Sequence, residues 1–149
     1  MTLSIGQTAP AFSAKNQNEE IITLNDFKNK KLVLYFYPKD DTPGCTAEAC
    51  SLRDNYKVLI QQGYSILGVS PDNEKKHLKF IEKYELPFDL LADTEHTIAE
   101  AYGTWAEKSM YGRKYMGILR TTFIINENGN IDEIIEKVNT KNHAEQILK

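Results

Sequence analysis

The six-residue run LVLYFY, residues 32–37, constrains the fold of this chain more than any other stretch. It is apolar throughout, it is far too short to span a bilayer, and Pro38 follows it directly. A continuous apolar run of this length is typical of a central β-strand that is covered on both faces. A second run of the same kind, YSILGVS, occupies residues 64–70. The two runs therefore predict two buried strands of one sheet.

The segment between these strands has the pattern of an amphipathic helix. Apolar residues recur there at spacings of three and four, which places them on one helix face: Ala49, Leu52, Tyr56 and Leu59. Cys45 continues this apolar stripe one turn earlier. The pattern predicts a helix from about residue 45 to residue 61.

The rest of the chain alternates between short β-like runs and helical patterns. An Asn-Gly turn within NENGN separates two such runs and predicts an antiparallel hairpin. The predicted elements are a short strand at 21–24, helices at 73–84 and 94–101, hairpin strands at 121–125 and 131–136, and a closing helix in the last nine residues. Together they predict an α/β fold on a mixed sheet, and a length of 149 residues predicts one domain spanning 1–149.

Charge and the first residues argue against several partners. The formal net charge is −3 and acidic residues are interspersed among the lysines, so we expect neither nucleic acid nor a membrane as a partner. The stretch MTLSIGQTAPAF lacks the basic and apolar segments of a secretory signal. We therefore expect a cytoplasmic protein. In that reducing compartment a transient catalytic disulfide is more common than a stable structural one.

Both cysteines of the chain, Cys45 and Cys50, lie within the stretch TPGCTAEAC. Cys45 is on the apolar side of the predicted helix, where a small buried hydrophobic residue is one interpretation. Cys50 falls on the polar side with Arg53 and Asp54, so this interpretation is weaker for it. A zinc site is weaker still, because the spacing is not Cys-x-x-Cys and the three histidines lie far apart in sequence.

A reactive thiol is the better interpretation of Cys45, which stands at the start of the predicted helix. Unpaired N–H groups and the positive end of the helix dipole favour ionisation of a thiol there. Pro43 stiffens the approach, and Gly44 lets a backbone amide come close to a ligand above the sulfur. The Thr42 hydroxyl either caps the helix or donates and accepts hydrogen bonds near the sulfur.

The stretch PKDDTPGC, residues 38–45, matches the PxxxTxxC signature of the peroxiredoxins. The longer run YPKDDTPGCTAEACSLRD resembles the PrxQ or bacterioferritin comigratory protein (BCP) subfamily, and the similarity continues through GQTAPAF, YGTWAEKSMYGRKYMG and GILRTTFIINENG. This resemblance implies a thioredoxin-like fold of the peroxiredoxin type, with a central mixed β-sheet flanked by helices. It also implies a thiol-dependent peroxidase that needs no metal or organic cofactor.

The same resemblance assigns a role to each cysteine. It implies that Cys45 is the peroxidatic residue, whose thiolate attacks a peroxide and becomes a sulfenic acid. It implies that Cys50 is the resolving residue, which forms an intramolecular disulfide with Cys45. Hydrogen peroxide and organic hydroperoxides are the implied substrates, a thioredoxin-like dithiol is the implied reductant, and a monomer is the implied state.

The resemblance also implies a peroxide-binding set around Cys45. This set consists of the Thr42 hydroxyl, the backbone amides of Gly44 and Cys45, and the guanidinium of Arg120. Only three of the 18 Lys and Arg residues are arginines, and a guanidinium can address sulfur and oxygen together. The alternative for Arg120 is an ordinary salt bridge at a strand entrance. Glu48 either joins this set or is a glutamate on the helix surface.

Two other function classes stay open on the sequence. One is a thiol–disulfide oxidoreductase on the same fold, although such proteins typically carry Cys-x-x-Cys and this chain has Cys-x-x-x-x-Cys. The other is a redox switch or holdase, whose cysteines respond to an oxidant without turning over. Consumption of many equivalents of peroxide distinguishes the peroxidase from both.

Overall fold

The structure, a computed structural model, describes residues 3–148, so residue 149 of the predicted closing helix and residues 1 and 2 lie outside it. The elements are β1 (Ser13–Lys15), β2 (Ile21–Thr23), β3 (Lys31–Phe36), α1 (Pro43–Asp54), α2 (Tyr56–Gln61), β4 (Tyr64–Ser70), α3 (Glu74–Tyr84), β5 (Asp89–Ala92), α4 (Thr97–Ala101), β6 (Trp105–Met110), β7 (Arg113–Ile118), β8 (Thr121–Ile125), β9 (Ile131–Ile135) and α5 (His143–Leu148). Short 3₁₀ turns follow β2 and precede α5.

A five-stranded mixed sheet with the order β5-β4-β3-β8-β9 forms the centre of the fold. The apolar run of the sequence is β3, which lies in the middle of this sheet. It pairs in parallel with β4 and antiparallel with β8. The β8–β9 pair is the antiparallel hairpin that the Asn-Gly turn predicts. The predicted mixed sheet and its hairpin are therefore confirmed.

Successive side chains of β3 point to opposite faces of the sheet and fill two separate cores. Leu32, Leu34 and Phe36 belong to the core that includes residues of α4. Val33, Tyr35 and Tyr37 belong to the other core, which includes residues of α1, α3 and α5. Because both faces are covered, every position from 32 to 37 is buried, which explains why the run is apolar without alternation.

The predicted helix over 45–61 is present but divided into α1 and α2 at Asn55. The Asn55 side chain donates a hydrogen bond to the carbonyl oxygen of Ser51 at 2.9 Å. Such a side chain competes with the backbone for helical carbonyls, and this is why the helix breaks there. The apolar stripe on α1 is confirmed, since Cys45, Ala49 and Leu52 are all buried against the sheet.

Several strands were not predicted. β1 is short, β5 is the edge strand beside β4, and β6 and β7 form a separate two-stranded hairpin. Most residues of β6 and β7 are at least partly exposed, so neither strand carries an apolar run that periodicity detects. Tyr111, at the tip of this hairpin, is fully exposed. None of the helices within residues 3–148 has the length and apolar character needed to cross a membrane.

Candidate active site

The loop after β3 delivers the chain directly into the first turn of α1. Thr42 is the N-cap residue with extended backbone, and Pro43 is the first helical residue. Its fixed φ suits that position, and the N–H that proline lacks has no partner in a first turn. The Thr46 N–H donates to the Thr42 carbonyl oxygen at 2.8 Å and closes the turn. Cys45 lies within this turn and is only 2% exposed.

Arg120 reaches this turn from the start of β8, the strand that pairs with β3. It immediately precedes β8, and Thr121 of β8 pairs with Phe36 of β3. This register sets Arg120 beside the loop that runs from β3 into α1. Its Nη2 donates to the Cys45 sulfur at 3.2 Å, across 75 residues of sequence. A guanidinium in this position stabilises negative charge on the sulfur.

Glu48 holds the other side of the same guanidinium. Its Oε1 accepts a hydrogen bond from Arg120 Nη1 at 2.7 Å. The Glu48 side chain is fully buried, so the interpretation of this residue as a surface glutamate is wrong. Burial raises the pKa of Glu48 to about 7, although the positive charge of Arg120 opposes that rise. Arg120 is thus both a salt-bridge partner and a contact of the sulfur.

Thr42 and Gly44 shape the first turn in different ways. The Thr42 side chain makes no capping hydrogen bond; its hydroxyl donates to the Lys39 carbonyl oxygen at 2.8 Å. Because the hydroxyl hydrogen is already used, the Thr42 oxygen can form a further hydrogen bond only as an acceptor. At Gly44 a Cβ atom would lie 3.3 Å from Arg120 Nη2, so glycine permits the close approach of the arginine to the helix.

Buried polar contacts that sequence reasoning missed hold the loop before α1. Asp40 accepts a hydrogen bond from the Tyr37 hydroxyl at 2.6 Å, and its other oxygen lies 2.7 Å from His77 Nδ1. The Asp40 N–H donates to Asp72 Oδ2 at 2.6 Å. His77 and Asp72 lie on or just before α3, so this helix fixes the position of the loop. The only signal in the sequence is the polar pair Asp-Asp directly after Pro38 and Lys39.

Asp41 forms a second tie between the loop and α3. It has a left-handed backbone conformation with φ of 56°. Its carboxylate accepts hydrogen bonds from Lys83 Nζ and from the Tyr84 hydroxyl, each at 2.7 Å. These two donors hold the pKa of Asp41 below its usual value. The loop is therefore restrained at two consecutive residues, Asp40 and Asp41, just before α1 begins.

Cys50 lies on the same helix as Cys45 but is partly exposed, and both are free thiols. Positions five apart in an α-helix differ by about 7.5 Å of rise and about 140° of rotation, so their Cα atoms are roughly 8–9 Å apart. A disulfide tolerates a Cα separation of at most about 7 Å. Because α1 is continuous over both residues, the two sulfurs cannot bond in this conformation.

Comparison with known proteins identifies the chain. The sequence profile described as the AhpC/TSA family matches residues 5–134. A putative peroxiredoxin bcp of Haemophilus influenzae is 49% identical over 146 residues, which cover 98% of this chain and 94% of that protein. The chain belongs to the AhpC/TSA family of peroxiredoxins. The similarity that the stretch around Cys45 indicates is therefore confirmed along most of the chain.

Solved structures extend this result to the fold. A cysteine-to-serine variant of PrxQ from Xylella fastidiosa superposes with a TM-score of 0.93 at 34% identity, covering 99% of this chain and 94% of that one. The bacterioferritin comigratory protein of Xanthomonas campestris, studied for alkyl peroxide reduction, superposes with a TM-score of 0.90 at 32% identity, covering 97% and 95%. The thioredoxin-like fold of the peroxiredoxin type is thus confirmed. Peroxiredoxins are thiol-dependent peroxidases, and this chain is an enzyme of that class.

Proposed function

We propose that this peroxiredoxin reduces hydrogen peroxide and organic hydroperoxides through a sulfenic acid on Cys45 and an intramolecular Cys45–Cys50 disulfide. The observation that carries the proposal is the 3.2 Å contact between Arg120 Nη2 and the Cys45 sulfur. It joins a permanently charged donor to the one thiol that lies in the first turn of a helix. Such an arrangement favours the thiolate, which is the nucleophilic form of cysteine.

In the first step the Cys45 thiolate attacks one peroxide oxygen. The S–O bond forms as the O–O bond breaks, so the sulfur is oxidised to sulfenic acid and the departing oxygen leaves as hydroxide or alkoxide, which takes up a proton. Negative charge thereby moves from the sulfur to that oxygen. Arg120, the amides of Gly44 and Cys45, and the acceptor lone pairs of Thr42 are the groups suited to hold the two oxygens. The Cys45 sulfur is buried, and the limited access of water there strengthens the interactions made at the sulfur.

In the second step the Cys50 sulfur attacks the Cys45 sulfenic acid. The S–S bond forms and the hydroxyl leaves as water after protonation, so one disulfide replaces one thiol and one sulfenic acid. A thioredoxin-like dithiol then reduces the disulfide by exchange and becomes oxidised itself. We propose that the protein carries out this cycle as a single domain and a monomer in the cytoplasm, without a metal or organic cofactor.

A coupled assay tests the proposal directly. Substoichiometric protein is mixed with hydrogen peroxide, NADPH, thioredoxin reductase and thioredoxin, and oxidation of NADPH is followed by absorbance. We expect many equivalents of peroxide to be consumed per protein molecule. A halt after one equivalent would indicate a redox switch. Reduction of insulin in the absence of peroxide would instead indicate a thiol–disulfide oxidoreductase.

The Cys50→Ser variant separates the two steps. We expect it to react once with peroxide at the wild-type rate, because Cys45 and its contacts are unchanged. Steady-state turnover with thioredoxin should fall by at least about tenfold, because no intramolecular disulfide forms for exchange. Stopped-flow kinetics and mass spectrometry of the sulfenic acid measure the first step, and NADPH oxidation measures turnover. Equal turnover in variant and wild type would show that Cys50 is not the resolving cysteine.

Disulfide formation should unwind part of α1. Because the bond is incompatible with the intact helix, at least one turn over residues 45–51 must open. We expect hydrogen exchange of these amides to rise on oxidation while the central strands stay protected. Peroxide-treated Cys50→Ser protein is the matched control, since it reaches the sulfenic acid and should keep the helix. An oxidised structure with the Cys45–Cys50 bond and a continuous helix from 45 to 52 would contradict this expectation.

A further inference from the structure

His143 extends the buried polar cluster beyond the groups used so far. It is the first residue of α5, its side chain is fully buried, and its Nε2 lies 3.4 Å from Glu48 Oε2. Glu48 Oε1 is engaged by Arg120, whereas Oε2 has no hydrogen-bond donor among residues 3–148. A buried carboxylate oxygen without a donor is costly. The protonation state of His143 therefore determines whether Glu48 Oε2 faces a hydrogen-bond donor or an acceptor.

Gln146 determines which nitrogen of His143 carries a hydrogen. The Gln146 Nε2 group donates to the Lys137 carbonyl oxygen at 3.0 Å, and its Oε1 accepts from the Asn139 N–H at 2.9 Å. These two backbone partners orient the amide, so it is Oε1 that lies 2.8 Å from His143 Nδ1. An amide oxygen only accepts, so Nδ1 must carry the hydrogen. In a neutral ring, Nε2 is then a bare acceptor.

Two acceptors, His143 Nε2 and Glu48 Oε2, would face each other at 3.4 Å if the neutral ring met an ionised Glu48. The Thr122 hydroxyl lies 2.8 Å from Nε2 and can donate to it, but it supplies nothing to Glu48 Oε2. One additional proton removes this conflict. It sits either on Glu48 Oε2, which then no longer opposes Nε2 as a second acceptor, or on Nε2 of an imidazolium, which then faces Oε2 and the Thr122 oxygen with an N–H. In both arrangements the Glu48–His143 pair holds one shared proton.

We propose that His143 is a positioning residue, which keeps one proton on the Glu48–His143 pair and so leaves the positive charge of Arg120 free to stabilise the Cys45 thiolate. With the shared proton the pair is neutral overall, and Arg120 and the thiolate balance each other. Without it, Glu48 would be a second anion on the same guanidinium, and the buried cluster would carry a net negative charge. Buried net charge of this kind is disfavoured.

The neighbouring groups agree with this assignment. Burial raises the pKa of Glu48 to about 7, and burial also lowers the pKa of His143, so both shifts favour a neutral acid beside a neutral ring. Tyr35 is a further ionisable side chain that interacts electrostatically with Glu48. Burial and the charge of Glu48 raise its pKa well above the usual value, so it adds no charge. Arg120 and Cys45 are then the charged members of the cluster.

The test is a thiolate titration followed by absorbance at 240 nm in a Cys50→Ser background, where Cys45 is the only thiol. In His143→Gln, the new amide can donate to Glu48 Oε2 and holds Glu48 as a carboxylate. We expect the midpoint of the Cys45 titration to rise by about one pH unit, the effect of an added nearby anion. In Glu48→Gln/His143→Gln no carboxylate remains, and the rise seen in His143→Gln should disappear.

The double variant separates this role from simple packing. If a rise in His143→Gln comes from altered packing of α5 against α1 and not from the charge of Glu48, the double variant will show the same rise, and the proposal fails. A midpoint in His143→Gln equal to or below that of the parent also overturns it. His96→Gln, which changes a histidine stacked on Trp105, is the control and should leave the midpoint in place. Circular dichroism checks that each variant is folded.

A measurement on the wild-type protein needs no substitution in the cluster. Nitrogen-15 spectra should show the His143 ring protonated at Nδ1 through the neutral pH range; a neutral ring protonated only at Nε2 would overturn the proton count. The inference rests on the proposed role of Cys45 as the peroxide-reducing thiol. The titration and the spectra require no turnover, so they remain informative if the coupled assay contradicts that role.

Discussion

Replacement of Cys45 by serine is expected to abolish peroxide consumption. The loss should be at least about a thousandfold, because a serine hydroxyl is not ionised near neutral pH and no sulfenic acid can form on it. Cys50, the remaining thiol, lies partly exposed on the polar side of α1 and cannot substitute for Cys45, because Arg120 contacts the Cys45 sulfur. The coupled NADPH assay and single-turnover stopped-flow measure the effect.

The Cys50→Ser variant is the matched control for this experiment, since it also removes one of the two thiols by the same substitution. It should retain the single reaction with peroxide that Cys45→Ser loses. Circular dichroism and thermal unfolding establish that both variants are folded. Sustained peroxide consumption by Cys45→Ser would assign the chemistry to Cys50 and overturn the proposed cycle.

Replacement of Arg120 by methionine is expected to slow the reaction with peroxide by roughly a hundred- to a thousandfold, the range for losing one preorganised donor. The guanidinium donates to the Cys45 sulfur and carries a charge that favours the thiolate, so its removal acts on both the nucleophile and the departing oxygen. The midpoint of the Cys45 titration should also move to higher pH. Stopped-flow kinetics across a pH series separates these two effects.

Two further variants sharpen the interpretation of Arg120. Arg113→Met removes an exposed arginine from the β6–β7 hairpin and should leave the rate unchanged. Arg120→Lys keeps the charge but cannot reach the sulfur and Glu48 with two coplanar donors, so it should recover only part of the lost rate. Rates within twofold of wild type for Arg120→Met would show that the role of Arg120 is purely structural, as the salt-bridge partner of Glu48.

The strands and helices that sequence patterns predicted are those with a strong local signal. β3 and β4 are continuous apolar runs because both faces of each are covered, and the β8–β9 hairpin follows from an Asn-Gly turn. β6 and β7 lack such a signal, since they form an exposed two-stranded hairpin outside the central sheet. The break at Asn55 was also missed, because a side chain that binds a carbonyl is compatible with the same apolar stripe.

The sequence by itself determined the site at the level of single residues: a cysteine in the first turn of a helix, a Thr-Pro-Gly approach, and a second cysteine five residues later. These are local features, set by neighbours along the chain. The resemblance to the peroxiredoxins placed Arg120 near Cys45 but left a plain salt bridge open. Only the tertiary structure decided that Arg120 contacts both the Cys45 sulfur and Glu48, that Glu48 is buried, and that His143 lies against it. These contacts join α1 to residues more than 70 positions away. They depend on the register of β8 against β3 and on the docking of α5. The contacts themselves leave no periodic trace in the sequence because each of them involves one side chain per element.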